Sequence, residues 1–93
     1  MHILLMTLDI QLPAAQSLKE KRSSVRSMVD RLRTRYNVAV AEVDNHDKWQ
    51  LATLAVITVS RLRARAEETS REVMDELETR FDIVVVGVSE EWL

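Results

Sequence analysis

One stretch of this chain sets an apolar residue at every second position without a break, and it leads into a stretch of helical periodicity. In His2 to Leu12 (HILLMTLDIQL), Leu4, Met6, Leu8, Ile10 and Leu12 take every second position, the pattern of a strand with one buried face. Pro13 then removes a ladder donor and ends it. Ser17 with Glu20 three residues on forms a capping box. Leu18, Val25, Met28, Val29, Leu32 and Tyr36 follow at helical spacing, one apolar stripe, and Asn37 is placed to stop the helix in a left-handed conformation. The cycle repeats after a hairpin: Val38 to Asp44 is a strand, Asn45-His46-Asp47-Lys48 a polar turn, and Trp49 to Ser60 (WQLATLAVITVS) a third strand. Ser60 is placed to cap a second helix that turns Leu62, Ala66, Val73, Leu77 and Phe81 inward, with Glu67–Arg71 and Glu76–Arg80 as i,i+4 pairs. Ile83 to Val88 opens a fourth strand, in which Gly87 marks a bulge or a close backbone approach.

The order βαββαβ is two βαβ halves, which predicts an α+β ferredoxin-like sandwich: a four-stranded antiparallel sheet with two helices on one face. Right-handed crossovers place the first and third strands in the middle, and these carry the longest apolar runs. A chain of 93 residues with one Gly and one Pro has no linker, so residues 1–93 are read as a single domain. The absence of Cys excludes a disulfide scaffold, a thiolate zinc site and a cysteine nucleophile. No apolar run approaches the roughly 20 residues of a membrane span, and no signal-peptide pattern precedes the fold, so a cytoplasmic protein with no membrane partner is expected.

Two segments resemble a known family: Ser17-Leu18-Lys19-Glu20-Lys21-Arg22 at the start of the first helix, and Val40-Ala41-Glu42-Val43 followed by His46-Asp47 and Trp49-Gln50 across the hairpin. Together they make the chain similar, nearly end to end, to the YlxP-like family of small bacterial proteins, a domain-of-unknown-function group. The resemblance implies a ferredoxin-like fold and no assigned enzymatic activity. It also implies RNA or ribosome association, because genes of the family often stand beside those for translation initiation and ribosome maturation factors.

Charge points the same way. Between Leu18 and Tyr36 seven Lys/Arg stand against Glu20 and Asp30, in a chain of overall formal charge −2. Lys19, Lys21, Arg22, Arg26 and Arg33 line the first helix, and Arg61, Arg63 and Arg65 open the second. Topology brings the latter beside Arg31, Arg33 and Arg35 at one end of the sheet. These residues are the candidates for contacts to RNA or a ribonucleoprotein. The alternative reading of the same charges is a solvated helix face. Base stacking on the sheet, as in RNA-recognition motifs, is not expected, since the first strand has no aromatic and the third only Trp49.

His46, Asp47, Trp49 and Gln50 form a second candidate surface, for a partner. His46 with Asp47, Asp44 and Glu42 can be read as an acid–base or metal-binding set; the alternative is local turn capping by Asp47 and pairing of Glu42 with Lys19 or Lys21. No P-loop, glycine-rich fingerprint or Ser–His–Asp pattern occurs, so no enzyme, cofactor or metal is expected. Trp49 reads first as a residue closing one end of the core. Both alternating sets of the third strand are apolar, while helices cover only one face. A homodimer through the outer sheet face or the 83–88 edge strand is therefore expected, the alternative cover being a C-terminal tail folded back.

Overall fold

The computed structural model describes residues 1–93 and contains β1 (His2–Gln11), α1 (Leu18–Arg35), β2 (Ala39–Asp44), β3 (Leu51–Ser60), α2 (Arg63–Glu78) and β4 (Val84–Trp92). The sheet runs β2-β3-β1-β4 with every neighbouring pair antiparallel, so the chain adopts the ferredoxin-like α+β fold. The period-two set of β1 is the reason. Leu4, Met6, Leu8 and Ile10 are sealed beneath the helices, opposite Thr58, Val56, Leu54 and Ala52 of β3 in that order. Val25, Met28 and Leu32 of α1 and Ala66, Val73 and Leu77 of α2 close the layer from above. Each such large aliphatic side chain contributes about 1.5–3 kcal/mol by leaving water. Neither helix is long and apolar enough to cross a membrane.

The cap at Ser17 forms as expected: its hydroxyl accepts from the Glu20 N–H at 3.1 Å. The Glu20 carboxylate reaches back one residue further, to the Gln16 N–H at 2.5 Å. Gly87 lies opposite Asp9 where the β1–β4 register shifts. A Cβ there would stand 3.2 Å from Asp9 Oδ2, so the close approach expected of this glycine is real.

Several local expectations fail at element ends, where periodicity no longer governs. Tyr36 leaves α1 in an extended conformation (φ −129°) and needs no left-handed residue after it. Asn37 instead pins the chain to β3, its amide donating to the Val59 carbonyl and its own carbonyl accepting from Thr58. The one left-handed residue is Asn45, at φ 63°. Leu62 and Phe81 lie on the surface rather than inward, because α2 begins after the first and ends before the second. Ser60 accepts from the Leu62 N–H but does not cap the helix proper. The C-terminal tail does not fold back. It lengthens β4, with Trp92 opposite Leu4 and the Leu93 N–H donating to the Ile3 carbonyl, and the outer face of the sheet stays uncovered.

Candidate nucleic-acid interface

Lys21 departs furthest from its sequence-based assignment. It is wholly buried, with a relative accessibility of 0%, and is therefore no contact for RNA. Its position explains this: four residues before Val25 and seven before Met28, it stands on the apolar stripe of α1. Its Nζ donates to the Asn45 carbonyl at 2.5 Å and lies 2.9 Å from Glu42 Oε2. That oxygen is shut away from solvent without an aligned hydrogen bond. Charge holds the carboxylate while the directed bond goes to the carbonyl. The left-handed backbone of Asn45 serves both sides of the sheet, because its side-chain amide donates to Thr53 Oγ1, which in turn donates to Asp9 Oδ1. The start of α1 and the hairpin turn are spatial neighbours, as the topology required, and one buried cation ties them together.

Other cations of the basic segment are likewise occupied. Arg31 and Arg35 both pair with Glu76 of α2, and Tyr36 donates its hydroxyl to the same carboxylate. Burial would raise the Glu76 carboxyl. The hydrogen bonds from Arg31 and Tyr36, with the charges of Arg31 and Arg35, outweigh that and hold it below its ordinary value. Burial, and then the bond to Glu76, push the Tyr36 phenol up. The i,i+4 partner expected for Glu76, Arg80, instead grips Asp82 with two bonds of 3.0 and 2.9 Å; those bonds hold the Asp82 carboxyl down against its burial. Arg33 donates to the Val40 carbonyl of β2 at 2.6 Å. At the start of α2, Arg63 pairs with Glu67 and lies 4.0 Å over the Trp92 ring, and Arg65 pairs with Glu68. The expected convergence of six arginines is thus mostly neutralised; Arg61 alone among them is exposed and bound to nothing.

What stays available on α1 is a shorter strip. Lys19, Arg22 and Arg26 are exposed, and none belongs to the ion pairs of the molecule. Their spacing of three and four residues sets them along one side of the helix, over about two turns.

At the hairpin the residues of the alternative catalytic or metal-binding set part company. Glu42 faces Lys21, His46 Nε2 lies 3.0 Å from the Glu42 carbonyl, and Asp44 accepts from the Asn45 N–H. Asp47 is exposed in the turn. Gln50 clamps the β1–α1 connection, donating to the Pro13 and Ala15 carbonyls. Trp49 does not close the core: it is 53% exposed, standing two residues before β3 begins. It borders an open cleft with Gln11, Pro13, Asp47 and Leu51.

The family model described as "Protein of unknown function (DUF503)" matches residues 3–90. The chain belongs to the DUF503 family. It is similar to "Uncharacterized protein YlxP" of Bacillus subtilis (strain 168), with 28% identity over 78 residues, 84% of this chain and 85% of that protein. The two segments that carry the resemblance both fall within residues 3–90; among their polar residues, Lys21 and Glu42 join the hairpin to α1, and Gln50 ties it to the β1–α1 connection.

The two edges of the sheet in this DUF503 chain are unequal. On β2 the carbonyls of Val40 and Glu42, two residues apart and so directed to the same side, meet Arg33 and His46. No side chain bonds the β4 backbone in this way, and Val84, Val86 and Val88 are each about half exposed. Glu90 and Glu91 follow them on the same strand.

Proposed function

We propose that this chain is a cytoplasmic, non-catalytic binding module that holds an RNA backbone against the exposed side of α1 through Lys19, Arg22 and Arg26. One observation carries this reading. The other four cations of the helix are spent on internal partners, while these three stand free on the surface. Free, adjacent cations on a rigid helix suit phosphates, with no need to read bases. The dispersal of His46, Asp47, Asp44 and Glu42 supports a binding role over a catalytic one.

Binding through three phosphate contacts gives a log–log salt slope of about −2 on single-stranded RNA, a loss of roughly 20-fold between 50 and 200 mM salt. The variant Lys19→Glu/Arg22→Glu/Arg26→Glu is expected to keep its urea midpoint and to lose retention on RNA filters. Retention equal to that of the native chain would remove the proposal.

A second reading, a homodimer paired along β4, is favoured by the contrast between the blocked β2 edge and the open valine-rich one. It expects light scattering to give about twice the 10.7 kDa monomer mass, and Val86→Lys to return the protein to monomer. A monomeric mass at high concentration ends that reading.

A further inference from the structure

Strand alternation puts Ile3 and Leu5 of β1, with Ile57 and Val59 of β3, on the face of the sheet away from both helices. Ala39 and Ala41 of β2 continue the patch, opposite Ile57 and Ala55. An open hollow at this end is lined by Ile3, Val38, Ala39, Ile57 and Val59. A solvated sheet face normally alternates to polar residues, and here half of it does not.

The charges on that face all have one sign. Asp9 lies opposite Thr53, Asp44 also opposite Thr53 from the other side, and Glu91 opposite Leu5. None of the three takes part in an ion pair. No Lys or Arg occurs in β1, β2, β3 or β4, so the outward positions of the sheet hold no cation, although the chain has 13 Lys/Arg. An apolar strip bordered by unpaired carboxylates is complementary to a segment that is apolar on one side and basic on its flanks. A second copy of this chain fits it poorly, since stacking two such faces would set carboxylates against carboxylates.

We infer that the outer face of the sheet docks a cationic amphipathic segment of a protein partner, independently of the RNA strip on α1. The apolar strip supplies the buried centre, and Asp9, Asp44 and Glu91 select lysine or arginine at its rim. A protein partner and an RNA would then occupy opposite sides of one small domain.

The test uses a synthetic amphipathic helix of leucine and lysine, a control in which glutamate replaces lysine, and amide chemical shifts of the full chain. The lysine peptide is expected to shift Leu5 and Ile57, and the glutamate peptide to leave them unmoved. Asp44→Lys/Glu91→Lys should weaken the lysine peptide by about 10-fold or more, the scale of a lost rim pair or two, and Ile57→Lys should abolish binding. The α1 triple variant should bind it normally, so failure of the RNA reading leaves this result intact. Equal binding of both peptides, shifts confined to α1, or no shifts at all would overturn the inference. So would a native dimer that Ile57→Lys converts to monomer, because the face would then belong to a second copy.

Discussion

Lys21→Met should reduce the stability of the fold by about 3–5 kcal/mol, the usual loss when one member of a buried ion pair is removed. Methionine nearly preserves the volume of the lysine stem, so the cost is electrostatic rather than a cavity. It leaves the Glu42 carboxylate, whose side chain is only 18% exposed, without its cation, and the Asn45 carbonyl with the Lys48 N–H as its one remaining donor. Urea melts read the result directly, and a loss below about 1 kcal/mol would show that the pair does not anchor the hairpin. Lys21→Met/Glu42→Met should recover most of the loss, since a well-packed apolar pair often replaces a buried ionic one at little cost. Such a recovery separates the charge from any role of the aliphatic stem.

Glu76→Gln is the next largest change, about 1–3 kcal/mol at neutral pH. The figure falls short of that for a fully buried pair because Arg31 and Arg35 are each about half exposed and partly screened by water. Its sign with pH follows from the lowered Glu76 carboxyl. A carboxyl whose folded value lies below its unfolded one contributes stability above the unfolded value, near pH 4.3, and loses it as pH falls through the folded value. The native chain should therefore weaken on acidification through this range while the Gln variant weakens less, and the two should converge at low pH. Asp82 adds to the acid limb in the same direction. A gap that persisted undiminished in acid would mean that the charge of Glu76 is not what joins the two helices. On the alkaline side the raised Tyr36 phenol works in the opposite sense, contributing stability that is lost as pH rises through its folded value.

The fold was legible because strand and helix periods differ and this chain follows each without interruption. Leu4 to Leu12 and the stripe from Val25 to Leu32 leave little choice of face. Lys21 was legible too, on the same grounds, once its phase is counted: it shares the stripe with Val25 and Met28, and Glu42 follows Val40 on the inward side of β2. Reading it as surface weighted its charge over its position. The grouping of Arg31, Arg35 and Tyr36 on Glu76 depends on how α1 and α2 lie against each other, 40 or more residues apart in the chain, and no local spacing encodes that. Trp49 and Phe81 failed for a third reason. Each sits just outside a regular element, where neither period extends.

The placement of every lysine and arginine off the strands, with three unpaired acids on the sheet's bare face, gives the molecule an electrical polarity across its short dimension of about 20 Å. In the field of a polyanion such a body experiences a torque as well as an attraction. If the proposed RNA contact is made, the domain would turn its acidic sheet face away before touching, and fewer collisions would be wasted on the wrong orientation. A net charge of −2 is therefore no argument against the proposed RNA contact, since the sheet's bare face holds acids and no cation.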